Sequence, residues 1–324
     1  MIVTVTPNPS LDLTYVVSAL GDVEVHRAEA FTVEPSGKGV NVSRALHQAG
    51  APTTAVVPVA GATGEHLLAL LTADGVPYRP VPVAGDTRLN TTVLEPGHTL
   101  KVNAPGTVLS PQHASDIVEA VSELLAGVAT GAAARTWLVI CGSLPPGATT
   151  DLVAQLVATG HARGARVAVD TSGPALAAAV GAGADLASPN LRELADINDA
   201  VRKTADNSRA VTDPDVLRAV TRFADVTGTE LLLSAGAAGA VWTDGSAAVH
   251  AEPPPVTPVN TAGAGDGLLA GWLCSSGTPE ERLARAVSWG TATCLSPTTV
   301  CPDVVTAARA HQVHVHRLDG ADVF

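Results

Sequence analysis

A chain of 324 residues, 46% of them hydrophobic, is long enough for one large α/β domain or two small ones, and it is too apolar to be disordered. Its 31 acidic and 19 basic side chains give a formal net charge of −12, which disfavours nucleic acid and anionic membrane surfaces as partners. The four cysteines form no Cys-x-x-Cys pair, and no apolar run is long enough to cross a bilayer. The N-terminus also lacks the basic and apolar blocks of a signal peptide, so we expect a cytoplasmic protein in a reducing compartment.

Short β-branched strands alternate with Ala/Leu/Val-rich helices along most of the chain. Predicted strands such as 137–140 and 231–234 are apolar throughout, which is typical of strands covered on both faces. Helical stretches lie between the strands, for example 110–126 and 150–163. This alternation predicts a mostly parallel sheet with helices on both sides, whose ligands gather at the carboxyl ends of the strands. Further strands are predicted at 1–5, 54–59 and 166–170, and a loop at 206–215.

Two segments interrupt the alternation because they contain strands with no helix between them. The first, 14–33, turns at Gly21-Asp22, and the second, 88–102, turns at Glu95-Pro96-Gly97-His98, a sequence that favours a β-hairpin. We expect both segments to form a small β lid at the edge of the main sheet. Apolar side chains on such a lid predict self-association, and the candidates are Val16, Val17, Leu89 and Val93.

The segment 260–267, Asn-Thr-Ala-Gly-Ala-Gly-Asp-Gly, leads directly into an apolar stretch with helical character. Gly263 and Gly265 allow a tight turn and a close approach of the backbone to a ligand. Backbone N–H groups at the start of a helix, here those of Ala264 and Gly265, favour an anion. Asp266 beside this anion hole suits a general base that deprotonates an alcohol during phosphoryl transfer. For an isolated motif, the alternative is a Gly-rich turn with Asp as a helix N-cap.

A second Gly-rich turn, Ser36-Gly37-Lys38-Gly39, runs into another predicted helix near the start of the chain. Together with the 260–267 segment, it resembles the two signatures of the PfkB/ribokinase family of carbohydrate kinases. The resemblance extends over nearly the whole chain. Further matches occur in the family's order at 6–12, 61–65, 142–147, 189–194 and 234–240.

The resemblance implies a three-layer α/β/α ribokinase-like fold, with a mostly parallel central sheet, helices on both faces and a small β-sheet lid. It implies one domain spanning 1–324, a lid built from about 14–34 and 88–103, and a homodimer that pairs through the lids. The implied activity is phosphoryl transfer from ATP with Mg²⁺. The implied catalytic base is Asp266, and the implied anion hole is formed by the backbone of Ala264, Gly265 and Asp266 in the turn that begins at Gly263.

The sugar is expected to bind near the beginning of the chain. Asp12 can accept hydrogen bonds from two hydroxyl groups, and the alternative for an isolated Asp is an Asx turn at a strand end. Gly37, Gly39 and Asn41 match the family's sugar-contacting turn. Ser143 follows a predicted strand, where it either adds a hydroxyl group to the site or serves only the turn.

A cluster of cations in a chain with few basic residues points to a phosphate already present on the substrate. Alternate residues of a strand share a face, so Arg88 faces the same way as Asn90, and Lys101 the same way as Asn103. With Lys38, three cations and two amides would converge over the sugar, where charge-assisted hydrogen bonds bind phosphate. The alternative is a solvent-exposed edge strand whose charged side chains only prevent it from pairing with another strand.

The nucleotide is expected to bind over the second half of the sheet. Asn190 and Glu193 match the family's Asn-x-x-Glu element, whose Glu helps to place Mg²⁺ through water rather than as a direct ligand. The alternative is a turn followed by an acidic residue in the first turn of a helix. Ser234 and Gly236 would border the nucleotide. The chain has no Gly-x-x-x-x-Gly-Lys-[Ser/Thr] sequence, which excludes a P-loop NTPase.

The chain departs from the family pattern at four positions, none of which removes the base or the anion hole. Ser188 stands where a Lys usually precedes Pro-Asn, and Ala104 stands where many ketose-phosphate kinases have Glu. Gly267 replaces a frequent Ser, and Asn260 replaces the commoner Asp or Ser.

The resemblance is to kinases of phosphorylated ketohexoses. Fructose 1-phosphate, converted to fructose 1,6-bisphosphate, is the first candidate substrate, and tagatose 6-phosphate and fructose 6-phosphate are the alternatives. A kinase of an unphosphorylated sugar and a sugar-phosphate-binding regulator without turnover are the remaining alternatives.

Overall fold

The computed structural model of the protein describes residues 1–21, 25–128, 136–205, 210–309 and 312–318. In these residues a ten-stranded sheet and a four-stranded sheet are combined with helices. The strands are β1 (Ile2–Val5), β2 (Ser10–Val16), β3 (Ala30–Ser36), β4 (Thr53–Val59), β5 (Tyr78–Pro82), β6 (Arg88–Glu95), β7 (His98–Val102), β8 (Trp137–Cys141), β9 (Arg166–Asp170), β10 (Leu186–Ala187), β11 (Glu230–Ser234), β12 (Ala240–Thr243), β13 (Ala248–Glu252) and β14 (His314–Leu318). The helices are α1 (Lys38–Gln48), α2 (Gly61–Ala73), α3 (Pro111–Ala126), α4 (Thr150–Ala162), α5 (Gly173–Gly181), α6 (Leu191–Ile197), α7 (Asp199–Ala205), α8 (Pro214–Thr227), α9 (Ala264–Leu273), α10 (Pro279–Cys294) and α11 (Val304–Arg309).

The large sheet has the strand order β14-β13-β12-β11-β10-β9-β8-β1-β4-β5. Pairing is parallel from β5 through β11 and antiparallel from β11 through β14. In β8, Leu138 and Ile140 belong to one core cluster and Trp137 and Val139 to the other, because alternate side chains point to opposite faces. Helices α3 and α4 cover the first face, and α1, α9 and α10 cover the second. The predicted three-layer α/β/α arrangement is therefore confirmed.

The predicted elements of the main sheet agree with the structure to within one or two residues. The helix predicted at 110–126 is α3, whose N-cap Ser110 accepts a hydrogen bond from the backbone N–H of His113. The loop predicted at 206–215 is wrong at its end, because Asp213 is the N-cap of α8 and Pro214 begins the helix. Residues 206–209 lie outside the described part of the chain. Among the described helices, none combines the length and the apolar character that a membrane span requires.

The four-stranded sheet has the order β3-β2-β6-β7, with β2 parallel to β6 and antiparallel pairing elsewhere. The predicted hairpin is confirmed as β6 and β7, with Gly97 at a φ of +82° in its turn. Strand β2 already begins at Ser10 and β3 extends to Ser36, so this sheet reaches beyond the 14–34 segment of the predicted lid. Asp22 of the predicted first turn lies outside the described residues.

Strand alternation gives the four-stranded sheet one polar and one apolar face. On the polar face, Asp12 of β2 lies beside Asn90 of β6, and Thr92 of β6 lies beside Lys101 of β7. The opposite face is apolar and partly open to solvent. Its exposed side chains are those of Phe31, Leu89, Leu100 and Val102.

Two of the four apolar residues expected to promote self-association lie on this apolar face, namely Leu89 and Val93, which alternate along β6. The expectation is wrong for the other two. Val16 falls on the polar face by strand alternation, in register with Leu94, and Val17 is 5% exposed and therefore buried within the subunit.

Candidate active site

A cleft of about 450 Å³ lies between the polar face of the four-stranded sheet and the carboxyl ends of β9, β10 and β11. Asp170 ends β9, Ser188 follows β10 and Ser234 ends β11, which is the edge where parallel sheets bind ligands. The predicted site residues that line the cleft are Asp12, Gly37, Lys38, Asn41, Arg88, Asn90, Lys101, Asn103, Asn190, Glu193, Ser234, Gly263, Gly265 and Asp266.

Asp266 occupies the third position of α9 and is 6% exposed. The side-chain amide of Asn41 on α1 donates a hydrogen bond to its Oδ2 at 2.8 Å. Burial raises the pKa of Asp266 to about 7, with a further contribution from the charge of Asp170, whereas Lys38 and the Asn41 hydrogen bond act in the opposite direction. A carboxylate with such a pKa is suited to accept a proton near neutral pH.

The turn before Asp266 requires glycine at Gly263, the N-cap of α9. Its φ is +79°, and a Cβ at this position would collide with the carbonyl oxygen of Thr299. No side chain of the described residues caps α9. The N–H of Ala264 makes a long contact of 3.4 Å to the carbonyl oxygen of Thr261, and the first turn therefore retains backbone donors suited to an anion.

Asp12 is held in a hydrogen-bonded group on the polar face of the small sheet. Its Oδ1 accepts hydrogen bonds from Ser10 Oγ at 2.7 Å and from Asn90 Nδ2 at 3.0 Å. Asn90 in turn accepts a hydrogen bond from the backbone N–H of Ala104 at 3.1 Å. These bonds both engage Oδ1 and fix the orientation of a carboxylate that lines the cleft.

Arg88 is anchored by two backbone carbonyl groups. Its Nη1 donates to the carbonyl oxygen of Ala104 at 3.0 Å, and its Nη2 donates to that of Asn8 at 2.9 Å. No carboxylate of the described residues forms an ion pair with the guanidinium. Lys101 of β7 and Asn103, just beyond the end of that strand, are exposed and line the same cleft, as the alternation of residues predicts.

Lys38 also lines the cleft, and it forms an ion pair for which the sequence predicted no partner. Its Nζ lies 2.6 Å from Oδ1 of Asp170, at the end of β9. The expected cluster of three cations is therefore divided: Arg88 and Lys101 extend from the small sheet, whereas Lys38 reaches from α1 to the main sheet.

Asn190 and Glu193 form a reciprocal capping box at the start of α6. Oδ1 of Asn190 accepts the backbone N–H of Glu193, and Oε2 of Glu193 accepts the backbone N–H of Asn190, both at 2.9 Å. Asn190 and Glu193 thus have the structural role at a helix start that the sequence analysis gave as the alternative. Both side chains nevertheless line the cleft.

A second cavity of about 360 Å³ adjoins the cleft and shares Ser234 and Gly265 with it. Its lining is mostly apolar and includes Gly236, Ala264 and Leu268. The predicted positions 236 and 264 therefore lie in this slot rather than in the polar cleft.

Two predicted residues line neither cavity. A Cβ on Gly39 would lie 3.0 Å from the carbonyl oxygen of Val5, so this glycine allows α1 to pack closely on β1. Ser143 Oγ accepts a hydrogen bond from Asn8 Nδ2 at 3.3 Å and so connects the β8 turn to the loop that also anchors Arg88.

Asp170 is the main residue of the cleft that sequence reasoning missed. Its signal was present, because a carboxylate ends the otherwise apolar strand Arg-Val-Ala-Val-Asp at the edge where ligands gather. Thr299 was also missed, since nothing in its local sequence indicates contact with the Gly263 turn. Across the described ranges, no group of three or more His, Cys, Asp or Glu side chains is arranged to hold a metal ion.

Residues 8–302 match the model of a family described as pfkB family carbohydrate kinase. With its α/β/α fold and the Asp266 turn, the protein is a sugar kinase that uses ATP as phosphoryl donor. The chain belongs to the pfkB family of carbohydrate kinases.

Curated relatives cover nearly the whole chain. The protein is 33% identical over 306 residues to ATP-dependent 6-phosphofructokinase isozyme 2 of Escherichia coli strain K12, which covers 92% of this chain and 94% of the relative. It is 33% identical over 326 residues to 1-phosphofructokinase of Rhodobacter capsulatus, which covers 98% of each chain. The crystal structure of phosphofructokinase-2 from Escherichia coli in complex with substrates and products has a TM-score of 0.83 at 31% identity, covering 95% of this chain and 98% of that one.

Proposed function

We propose that the protein transfers the γ-phosphoryl group of ATP to a hydroxyl group of a phosphorylated ketohexose, with fructose 1-phosphate as the first candidate. The observation that carries this proposal is the Arg88 guanidinium, which lines the cleft without a carboxylate partner among the described residues. Burial of the guanidinium lowers its pKa, and the charge of Asp12 acts on Arg88 without a direct ion pair among the described residues. Such a partly buried cation favours an anionic ligand, and a phosphate on the sugar supplies one. Lys101 and Asn103 add an ammonium and an amide to the same part of the cleft.

In the proposed reaction, Asp12 and Asn41 hold hydroxyl groups of the sugar, and Asp266 takes the proton of the attacking hydroxyl. The hydroxyl oxygen bonds to the γ-phosphorus as the bond from phosphorus to the β–γ bridging oxygen breaks, so that ADP leaves with that electron pair. The proton on Asp266 then passes to solvent. Backbone N–H groups at Gly265 and Asp266 stabilise the charge that develops on the phosphoryl oxygens.

We propose that the nucleotide lies across Ser234, with its base in the apolar slot that Gly236 and Leu268 help to line. Mg²⁺ fits the oxygen donors that line the cleft, among them Glu193, whose Oε2 is used in the capping box while Oε1 takes no part in that bond. Bound with ATP, Mg²⁺ would neutralise phosphate charge, and Glu193 is the residue proposed to hold it through water.

We further propose a cytoplasmic homodimer that pairs through the apolar face of the four-stranded sheet. Val102 is 60% exposed and Phe31 51% exposed on this face, and apolar side chains so placed are stabilised when a second copy covers them. Pairing of two identical faces is also the commonest symmetry of soluble oligomers.

The relatives also favour a second candidate, fructose 6-phosphate, because one of them is named as a 6-phosphofructokinase. Tagatose 6-phosphate remains the third. The experiment that tests the proposal is a turnover panel with ATP and Mg²⁺ over these ketose phosphates and the corresponding free hexoses. Preference for any ketose phosphate supports the substrate class, and the ratio of kcat/KM values selects the substrate. Equal kcat/KM for free fructose and its phosphates would contradict the proposal.

A further inference from the structure

Lys38 differs from the other basic side chains of the cleft in what it contacts. Its Nζ donates to Oδ1 of Asp170 at 2.6 Å, whereas Arg88 donates to backbone carbonyls beside the small sheet. Only 5% of the Asp170 side chain is exposed, compared with 40% of the Lys38 side chain. The buried carboxylate therefore fixes one end of the contact, while the ammonium borders the open cleft.

The charged groups around Lys38 are those that flank the proposed reaction. Asp170, then Asp266 and Glu193, raise the pKa of Lys38 above its ordinary value, so the ammonium stays protonated at neutral pH. Asp266 is the proposed base on the acceptor side, and Glu193 belongs to the nucleotide side. Lys38, Asp266 and Glu193 line the same cleft, so the ammonium shares the cavity in which the proposed transfer from nucleotide to acceptor takes place.

Lys38 also retains hydrogen-bonding capacity toward a ligand. An ammonium has three N–H donors, and the only bond that Lys38 makes to another described side chain is the one to Asp170. Lys38 is the first residue of α1, a helix whose N-cap is Gly37 and which no described side chain caps. The positive end of this helix adds to the charge of the ammonium and makes the position more favourable for phosphate oxygens.

We propose that Lys38 contacts the γ-phosphoryl group during transfer and neutralises the charge on its equatorial oxygens. In this step the acceptor oxygen bonds to phosphorus, the bond to ADP breaks, and Lys38 gives up no proton. Asp170 is the positioning residue that holds the ammonium in place. The inference rests on the proposed phosphoryl transfer but not on the identity of the sugar, and it separates Lys38 from the residues proposed to bind the substrate's own phosphate.

The test compares two variants with two acceptors, fructose 1-phosphate and free fructose. Removing a group that stabilises the transition state lowers kcat by about 10²–10³-fold, and Lys38→Met should do so with both acceptors while KM for the phosphosugar changes little. Arg88→Met is the matched variant, and its loss should be much larger with the phosphorylated acceptor. A Lys38→Met loss confined to fructose 1-phosphate would show that Lys38 binds the substrate's phosphate and would overturn the inference.

Chemical rescue separates a charge requirement from a folding defect. Lys38→Ala removes the side chain from a partly exposed position, and added ethylammonium can occupy the space and supply the cation. We expect kcat of Lys38→Ala to rise with amine concentration and the activity of Arg88→Ala to show no such rise. Asp170→Asn should lower kcat with unchanged affinity for the phosphosugar measured by calorimetry without nucleotide. The inference would be contradicted if kcat of Lys38→Ala did not change with amine concentration while the variant kept the wild-type thermal unfolding curve.

Failure of the substrate proposal can be distinguished from failure of this inference. If the wild type phosphorylates neither acceptor, hydrolysis of ATP with water as acceptor gives the same comparison. Lys38→Met should then slow ATP hydrolysis by about the factor expected for transfer to a sugar, because the same γ-phosphoryl group is transferred in both reactions. Equal hydrolysis rates in the wild type and Lys38→Met would overturn the role of Lys38 whatever the sugar.

Discussion

Asn41 at the start of α1 donates a hydrogen bond of 2.8 Å to Oδ2 of Asp266 at the start of α9, across 225 positions of sequence. The bond joins the two Gly-rich turns of the chain at the point where phosphoryl transfer is proposed. It favours the charged carboxylate and thus opposes the effect of burial, which raises the pKa of Asp266.

Replacing Asn41 by Ala should move the acid limb of the kcat–pH profile to higher pH. Asp266 works as a base only when deprotonated, so activity falls as the pH drops below its pKa, and loss of the donor raises that pKa further. The measurement is kcat between pH 5 and pH 9 at saturating substrates. If the acid limb lies at the same pH in the wild type and in Asn41→Ala, the pKa of Asp266 does not determine its position.

Asp266→Asn should lower kcat by about 10²–10⁴-fold, the usual contribution of a general base. The amide keeps the shape of the side chain, so affinity for the sugar phosphate should stay close to that of the wild type. Calorimetric titration and steady-state kinetics measure the two effects separately. Asp151→Asn, at an exposed position in the first turn of α4, is the matched control and should keep full activity. Retention of a third of wild-type kcat by Asp266→Asn would remove Asp266 from the mechanism.

The same variant should also change how stability depends on pH. The native pKa of Asp266 lies above its ordinary value of 3.8, so the folded state binds the proton more tightly and loses stability as the pH rises from about 4 to about 7. Asp266→Asn carries no such charge. It should be more stable than the wild type at pH 8, and the difference should shrink at pH 5 in thermal unfolding. A difference that is larger at pH 5 than at pH 8 would contradict the raised pKa.

The fold was predictable because its signals are local. Strand β8 is buried at every residue and β9 nearly so, and both are visible as apolar runs, while Ser110 and Gly97 mark a helix start and a hairpin turn. The parallel pairing of β2 with β6 was not predictable in this way. This pairing places Ser10 opposite Arg88, far away in the sequence. The residues of neither strand indicate which distant strand will be its neighbour.

The site was predictable in its residues but less so in its contacts. Strand alternation correctly placed Arg88 and Asn90 on one face, because that rule depends only on neighbouring positions. The partner of Lys38 depends on where β9 ends relative to α1, across 132 positions, and therefore could not be read from the sequence. Burial of Asp266, the cause of its raised pKa, likewise follows from packing rather than from the motif.

Introducing a carboxylate on the apolar face of the four-stranded sheet should dissociate the proposed dimer. Val102→Asp places a charge on an exposed position of β7, where a second copy would have to desolvate it. Val226→Asp on α8 is the matched control, since Val226 is 73% exposed on a different surface. Sedimentation velocity at micromolar concentration should give a dimer for the wild type and the control and a monomer for Val102→Asp. A monomeric wild type would contradict the pairing itself.

Removal of a lid cation should weaken binding of the phosphosugar far more than binding of ATP. A charge-assisted hydrogen bond contributes about 1.5–3 kcal/mol, or about one to two orders of magnitude in affinity. Arg88→Ala and Lys101→Ala should each raise KM for the ketose phosphate by such a factor and leave KM for ATP nearly unchanged. Lys101 is exposed and has no described side-chain partner, so its variant should fold normally even if loss of Arg88 disturbs the Asn8 and Ala104 carbonyls. Arg79→Ala, which breaks an exposed ion pair with Glu123, is the control for loss of a surface cation. The proposal is contradicted if both lid variants leave KM for the ketose phosphate unchanged and free hexose is an equally good substrate. In that case the two cations only prevent pairing of an exposed edge strand, and the enzyme acts on a neutral sugar.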